Sequence, residues 1–291
     1  MASFKILDGA IGSELIRRGL TLPEYIWSAD ANMNYPELVL QIHEEYVDAG
    51  ADYITTNTFR TTPRSYLKTG INSKKASQMA KNSLVRAVKL AKKTALQRTK
   101  IIGSIAPLED CYRPDLFPGR DVAISEFSQL GRWMTETGVD ILLLETMNSI
   151  NETEAGVCAL KDTEQPIWVS FVLKDKNHLL SGDRLADALH MLNSFQVEMV
   201  LLNCNSLVRT KRAVDYIVDN TIGSWGIYPN LGRGEPSPDG CIEKFASMEK
   251  YLSLIEYALN NGASVVGACC GSSPEHIAEI KKLKYDFAEQ R

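Results

Sequence analysis

The chain has 291 residues, of which 44% are hydrophobic and 23% are charged, and its formal net charge is -4. A chain of this length can bury one large core, and all-parallel α/β barrels often reach this size as a single domain. Its basic residues are spread along the chain rather than massed, which argues against a surface that binds nucleic acid.

Hydropathy and cysteine content indicate the compartment. The segment from Met1 to Asp8 meets an acidic residue too early for the apolar part of a secretory signal, and no apolar stretch approaches the roughly 18 to 20 residues of a membrane helix. We therefore expect the six cysteines to be reduced thiols or metal ligands. The prediction is a cytoplasmic protein, monomeric or a small homo-oligomer, that binds neither membrane nor nucleic acid.

Eight short apolar runs follow one another along the chain and predict strands. Most of them are continuous rather than alternating, which is typical of strands buried on both faces. In chain order they are Phe4 to Leu7, Tyr53 to Thr56, Ile101 to Ile105, Ile141 to Leu144, Ile167 to Val172, Met199 to Asn203, Ser224 to Tyr228, and Ser264 to Ala268.

The segments between these runs are long enough for helices. The clearest predicted helix is Pro36 to Ala49, because Pro36 suits the first helical position and Val39, Ile42 and Tyr46 fall on one face. Gly50 is the expected stop signal.

The same helix-to-strand junction recurs along the chain, with Gly138 and Gly262 in the place of Gly50. Eight such units, with no Pro/Ser-rich linker between them, predict a single-domain (β/α)8 TIM barrel over residues 1–291. An open, doubly wound sheet is the alternative.

A barrel places its catalytic groups where strands end and enter the following loops. Polar or reactive residues do end or follow six of the eight predicted strands. They are Asp8-Gly9, Thr55 to Phe59, Glu145-Thr146, Cys204-Asn205, Tyr228-Pro229-Asn230 and Cys269-Cys270.

Three of the cysteines suggest a metal site. Cys204 ends the sixth predicted strand, and the adjacent pair Cys269-Cys270 ends the eighth. Because these strands lie one strand apart in a closed barrel, the three thiolates can share one ion, and such soft ligands favour zinc. The alternative is that they are buried small hydrophobes. The other cysteines show no comparable pattern and are expected to be structural: Cys111, Cys158 and Cys241.

A zinc ion with three thiolate ligands carries a net charge of about -1, so it is a weak Lewis acid and poorly suited to hydrolysis. If its open position binds a substrate thiol, that thiol is held as a nucleophilic thiolate at neutral pH. This chemistry favours alkyl transfer to sulfur from a cationic donor.

Several motifs along nearly the whole chain resemble the homocysteine S-methyltransferase family. They are Leu7-Asp8-Gly9-Ala10-Ile11-Gly12-Ser13-Glu14-Leu15, Trp27-Ser28-Ala29, Ala49-Gly50-Ala51-Asp52, Thr56-Asn57-Thr58-Phe59, Ile105-Ala106-Pro107, Leu144-Glu145-Thr146, Asn203-Cys204, Gly267-Ala268-Cys269-Cys270-Gly271 and Pro274-Glu275-His276-Ile277. Two departures are Ala268, where the family usually has Gly, and the sequence Gly271-Ser272-Ser273.

The resemblance implies a zinc-dependent (β/α)8 enzyme that methylates homocysteine to methionine. It implies that the zinc ligands, and hence the catalytic centre, are Cys204, Cys269 and Cys270. It also implies that Asp8, Gly9 and Glu145 hold the amino acid portion of homocysteine.

Other predicted substrate contacts rest on chemistry at strand ends. Asn57, Thr58 and Asn205 are candidates for the substrate carboxylate. Trp27 or Phe59 could offer an aromatic face to a cationic donor, although ordinary packing under a loop is the alternative for both.

The methyl donor is expected to be a small sulfonium. The chain resembles the short, S-methylmethionine-using members of the family, and S-adenosylmethionine is a possible substitute. The electrostatic reason is that a sulfonium is attracted to an anionic zinc-thiolate centre. One alternative is another donor or acceptor, such as betaine or selenocysteine. Another is a zinc-binding barrel without catalysis. A third is a lyase that forms a Schiff base, but this chain has no lysine at the end of a predicted strand to form it.

Overall fold

Eight parallel strands form one sheet in the computed structural model, which describes residues 4–95, 99–221, 223–232 and 245–289. From β2 to β8 each strand pairs with the next along the chain, and β1 pairs with β8. The strands are β1 (Lys5–Ile6), β2 (Tyr53–Thr55), β3 (Lys100–Ile105), β4 (Ile141–Met147), β5 (Ile167–Phe171), β6 (Val197–Ser206), β7 (Ser224–Asn230) and β8 (Val265–Val266).

The barrel closes between β1 and β2. Leu7 forms a parallel bridge with Tyr53, and the backbone N–H of Asp8 donates to the Tyr53 carbonyl at 3.0 Å. The backbone N–H of Asp52 donates to the Ile6 carbonyl at 2.7 Å. Closure confirms the predicted (β/α)8 barrel over the open sheet.

Helices surround the strands. They are α1 (Ile11–Arg17), α2 (Ala31–Asn34), α3 (Pro36–Ala49), α4 (Pro63–Leu67), α5 (Ser73–Thr94), α6 (Arg120–Thr137), α7 (Ile150–Leu160), α8 (Leu185–Leu192), α9 (Leu207–Asn220), α10 (Met248–Asn260) and α11 (Pro274–Glu289). The helix predicted over Pro36 to Ala49 is confirmed residue for residue, and Gly50 ends it with a left-handed φ of 113°. Among the described residues, no helix has the length and apolar character needed to cross a bilayer.

The core has two layers, as a barrel requires. Inside the barrel, buried side chains from alternate positions pack together, including Ile102, Leu143, Trp168 and Leu201. A larger cluster lies between the strands and the helices. Because the interior is filled, the free space lies above it, at the carboxyl ends of the strands.

The ends of β4 and β6 differ from the sequence prediction. Glu145 and Cys204 were expected to follow their strands, but they lie within β4 and β6. Pairing is irregular at both places, between Leu144 and Met147 and between Asn203 and Ser206. Each strand bulges at its reactive residue and then resumes pairing, which turns side chains toward the cavity without ending the strand.

Candidate active site

A cavity of about 560 Å³ opens at the carboxyl end of the barrel. Its wall contains most of the site residues predicted from sequence: Asp8, Gly9, Trp27, Asn57, Glu145, Cys204, Cys269 and Cys270. Its mouth, defined here by the exposed residues Glu24, Tyr25 and Asp110, faces solvent. The structure therefore brings together residues from distant parts of the chain in one pocket of the size that binds small molecules.

The three predicted ligand cysteines form a tight cluster. The sulfur of Cys204 lies 3.0 Å from that of Cys269 and 3.4 Å from that of Cys270, and the Cys269 and Cys270 sulfurs are 3.9 Å apart. Adjacent residues can meet in this way because the chain leaves β8 after Val266, so the strand alternation no longer applies to them.

Backbone hydrogen bonds hold the cysteine loop in place. The N–H of Cys269 donates to the Pro229 carbonyl, and the N–H of Leu231 donates to the Cys270 carbonyl, both at 2.9 Å. The N–H of Gly271 donates to the Ser13 hydroxyl at 3.0 Å. The sulfur cluster is thus positioned by β7 and α1 as well as by its own loop.

The cluster favours negative charge at one sulfur. Hydrogen bonds from the Cys204 and Cys269 thiols lower the pKa of Cys270 well below its usual range. Hydrogen bonds with Cys204 and Cys270 raise the pKa of Cys269, and burial acts in the same direction. Three thiolates at these distances would repel one another in a buried site, so full ionisation needs a cation among them.

Asp8 and Glu145 face the same space and influence each other. Burial raises the pKa of Asp8 well above its usual range, the negative charge of Glu145 adds to this, and hydrogen bonds from Thr55 oppose it. Those bonds are donated by the Thr55 N–H at 2.9 Å and by its hydroxyl at 3.0 Å.

Burial also raises the pKa of Glu145, to about 7, and the charge of Cys204 contributes. Hydrogen bonds from Ser104 and Tyr228 act in the opposite direction; the Ser104 hydroxyl donates directly to the carboxylate. The buried Asp8 and the half-buried Glu145, beside a thiolate, make a region that strongly favours a bound cation.

Gly9 has a steric role. A Cβ at this position would lie 2.5 Å from the Ser272 hydroxyl oxygen and 2.6 Å from that of Tyr46. The same Ser272 hydroxyl accepts a hydrogen bond from the Ala10 N–H at 3.0 Å. Only glycine allows the loop after β1 to approach the cysteine loop this closely.

Three polar residues that were predicted to contact the substrate form hydrogen bonds with other groups of the protein instead. Asn57 lines the cavity, but its amide donates to the carbonyl of Ser28 and to Asn32 Oδ1, both at 2.8 Å. Thr58 and Asn205 are buried and lie outside the cavity wall. The Thr58 hydroxyl donates to the Ser104 carbonyl at 2.6 Å.

Asn205 acts as a brace between β5 and β6. Its side-chain oxygen accepts from the Leu173 N–H at 2.8 Å, and its amide donates to the Phe171 carbonyl at 3.2 Å. Strand alternation explains this, because its neighbour Cys204 points toward the cavity and Asn205 therefore points away.

Backbone strain is concentrated at the cavity. Among the described residues, three other than glycine have a left-handed φ, namely Trp27 (41°), Thr146 (61°) and Cys204 (53°), and all three line the cavity. Such a conformation is rare for aromatic and β-branched residues and persists where the surrounding structure imposes it. The Trp27 ring also meets Phe59 edge-on, with centroids 6.3 Å apart.

Tyr112 and Arg60 are among the cavity residues that were not found from the sequence. The hydroxyl oxygen of Tyr112 lies 3.7 Å from the Cys204 sulfur, and Arg60 forms part of the wall beside Phe59. Both lie in irregular loops, where no strand or helix period marks which side chains turn inward.

Fold and site together define a class: a closed (β/α)8 barrel enzyme with a three-cysteine cluster that could hold a soft metal ion. Residues 5–283 match the sequence model of the family described as homocysteine S-methyltransferase. The chain therefore belongs to the homocysteine S-methyltransferase family, and it is an enzyme of that class.

Individual relatives agree with this assignment. The chain is 30% identical to homocysteine S-methyltransferase YbgG of Bacillus subtilis (strain 168), over 94% of this chain and 92% of that protein. It is 29% identical to a homocysteine S-methyltransferase of Escherichia coli (strain K12), over 95% and 94%. The barrel superposes on the metallated form of the E. coli homocysteine methyltransferase MmuM with a TM-score of 0.82, at 27% identity and with 97% and 96% of the two chains covered.

Proposed function

We propose that the protein transfers a methyl group from S-methylmethionine to the thiol of homocysteine, at a zinc ion held by Cys204, Cys269 and Cys270. The observation that carries this proposal is the cluster of three sulfurs within 4 Å of one another, in a cavity whose wall also holds the carboxylates of Asp8 and Glu145. Thiolates are the ligands that zinc prefers in tetrahedral sites, so the residues fit that metal.

The metal would supply charge that keeps the cysteines ionised and would hold the substrate thiol as a thiolate at neutral pH. Everything else in the reaction depends on how the chain orients its two substrates. We infer that Asp8 and Glu145 bind the ammonium group of homocysteine. A cation between the two carboxylates compensates for the energetic cost of burying them and for the repulsion between their charges.

Thr55 and Ser104 orient these two carboxylates through the hydrogen bonds described above. The amino acid is then anchored at both ends, by its ammonium group and by its sulfur. Such anchoring restricts the sulfur to one direction of attack. No general base is needed once the thiol proton has been lost on binding.

In the transfer step, the homocysteine sulfur forms a bond to the methyl carbon as the bond from that carbon to the donor sulfonium breaks. The electron pair of the broken bond stays with the donor, which leaves as neutral methionine. Opposite charges are neutralised in this step, so a water-poor, anionic cavity favours it. The faces of Trp27 and Phe59 would stabilise the sulfonium before transfer.

We also propose that the protein is cytoplasmic. Support comes from five described cysteines with free thiols, Cys111, Cys158, Cys204, Cys269 and Cys270. Free thiols are typical of a reducing compartment. Cys241 lies outside the described residues.

The test is methionine formation from homocysteine with each donor supplied alone at equal concentration. We expect turnover with S-methylmethionine, slower turnover with S-adenosylmethionine, and none with betaine or methylfolate. Turnover with betaine or methylfolate and with neither sulfonium would overturn the donor assignment. Formation of Se-methylselenocysteine, with selenocysteine in place of homocysteine and the same donors, tests the alternative acceptor.

A further inference from the structure

Arg60 is a half-buried cation in the cavity wall that forms no ion pair among the described residues, although its charge acts at longer range on the buried Glu152 carboxylate, whose pKa is raised by burial and lowered by Arg60. Its Nη1 donates to the Glu109 carbonyl oxygen at 2.7 Å, and its guanidinium carbon lies 5.3 Å from the centroid of the Phe59 ring. Among the described residues, no carboxylate forms an ion pair with it. The guanidinium therefore keeps most of its five N–H donors available to the cavity.

The neighbouring cations differ from Arg60 in this respect. Arg64 is paired with Glu109 at 3.1 Å and with Glu126 at 2.5 Å. Lys68, which also lines the cavity, is paired with Glu109. Of these three basic side chains, Arg60 is the one that lines the cavity without a carboxylate in ion-pair contact.

The cavity has a charge gradient that runs from its inner end to Arg60. The inner end holds the acidic groups of the cavity, namely Asp8, Glu145 and the three cysteines. Burial raises the pKa of Cys111 to about 12, and the positive charge of Arg60 opposes this rise, which places the guanidinium near that thiol. A ligand carboxylate would be repelled at the inner end and attracted at Arg60.

We propose that Arg60 binds the carboxylate of the methyl donor, and that the donor is therefore a sulfonium that also carries a carboxylate group. This inference rests on the function proposed above and specifies the donor subsite. The sulfonium lies toward the cysteines and the Trp27–Phe59 pair, and the carboxylate accepts two parallel N–H bonds from the guanidinium. Stacking on Phe59 holds the guanidinium plane ready for this contact.

The donor is the better partner for Arg60 than the acceptor. Homocysteine is anchored by Asp8, Glu145 and the sulfur cluster, all at the inner end of the cavity. Arg60 lies five residues beyond Thr55, in the loop that leaves β2, and its partners Phe59 and Glu109 belong to loops above the strands. The exposed carboxylates of Glu24 and Asp110 at the mouth can accept the donor's ammonium group.

The test compares Arg60→Gln and Arg60→Lys with the unaltered zinc enzyme. We expect Arg60→Gln to raise the KM for S-methylmethionine about 10- to 100-fold, the effect of losing a charge-assisted contact, with the KM for homocysteine unchanged. Arg60→Lys should recover only part of the loss, because a lysine cannot form the paired contact. The KM for trimethylsulfonium, a donor without a carboxylate, should be the same in all three proteins.

Lys68→Gln is the matched control, since it removes a cation from the same wall whose charge is already neutralised by Glu109. Its KM for S-methylmethionine should stay within a fewfold of the unaltered enzyme. The proposal is overturned if Lys68→Gln and Arg60→Gln have equal effects, if Arg60→Gln changes neither donor, or if it raises the KM for homocysteine instead. Absence of turnover with any sulfonium in the unaltered enzyme would instead contradict the proposed function itself.

Discussion

The hydroxyl group of Tyr112 donates a hydrogen bond to the sulfur of Cys204 across 3.7 Å. The two residues are 92 positions apart in the chain and meet because the loop after β3 crosses the cavity toward β6. A donor on a metal-binding sulfur stabilises its thiolate form and fixes its direction, as outer partners of metal ligands generally do.

We predict that Tyr112→Phe binds zinc about 10-fold more weakly, because the Cys204 thiolate loses this hydrogen bond. The measurement is zinc transfer to a chromogenic chelator of known affinity. Tyr25→Phe is the control, since Tyr25 lines the same cavity from an exposed position. Equal zinc affinity in Tyr112→Phe and the unaltered protein would rule out the role assigned to this hydroxyl.

Glu145→Gln should raise the KM for homocysteine about 10- to 100-fold while zinc stays bound, because the substrate ammonium loses a charge-assisted hydrogen bond worth roughly 1.5 to 3 kcal/mol. Asp8→Asn should behave in the same way. Each replacement keeps the size of the side chain, so the effect reports the charge.

A simple thiol that lacks the amino group is the control for these two variants. Its rate should be nearly unaffected by either change. If both variants lose activity equally on this thiol and on homocysteine, the carboxylates do not recognise the amino group.

The buried side chain of His43 should make the free energy of unfolding depend on pH. It is fully buried in α3, neither ring nitrogen has a hydrogen-bond partner, and burial lowers its pKa from 6.5 to about 4. In the unfolded chain this histidine binds a proton below about pH 6.5, whereas in the folded chain it binds one only below about pH 4. The free energy of unfolding therefore falls as the pH drops from 6.5 to 4. Between pH 7.5 and pH 5 the loss from this residue is about 2 kcal/mol.

The measurement is urea unfolding of the unaltered protein and of His43→Leu at both pH values. The buried carboxylates with raised pKa contribute the opposite dependence, and they are present in both proteins, so only the difference is informative. The variant should lose about 2 kcal/mol less stability than the unaltered protein on going to pH 5. An identical change in the two proteins would contradict the pKa assigned to His43.

The fold could be predicted because the strands carry strong local signals. Continuous apolar runs such as Ile141 to Leu144, with a helix-to-strand glycine before each of several strands, need no knowledge of distant contacts. The ends of β4 and β6 could not be predicted, because the bulges at Thr146 and Cys204 depend on left-handed backbone conformations that neither residue type favours.

The candidate site also contains residues that could be predicted from the sequence and residues that could not. Asp8, Glu145 and the cysteines were found because strand ends in a barrel converge on one cavity. Asn205 was placed by the same reasoning, yet its side chain braces β5, since neighbours on a strand point to opposite sides. Arg60 and Tyr112 were missed because the side chains of irregular loops are oriented by tertiary contacts alone.

Replacement of a single cysteine tests the ligand set. Cys204→Ser should lose stoichiometric zinc and methyl transfer while its circular dichroism spectrum is unchanged, because two thiolates and a hydroxyl form a much weaker site. Cys158→Ser is the control, since Cys158 is partly exposed on α7 and lies outside the cavity wall. Replacement of Cys111 or Cys241 should likewise leave zinc content unaltered, and full zinc in Cys204→Ser would exclude this ligand set.

X-ray absorption at the zinc edge, recorded with and without homocysteine, tests the proposed chemistry most directly. We predict three sulfur neighbours at about 2.3 Å and one lighter atom in the protein alone. Adding homocysteine should replace the lighter atom with a fourth sulfur. A zinc environment that stays the same when homocysteine is bound, or one with fewer than three sulfurs at the start, would contradict methyl transfer to a metal-held thiolate at this cluster.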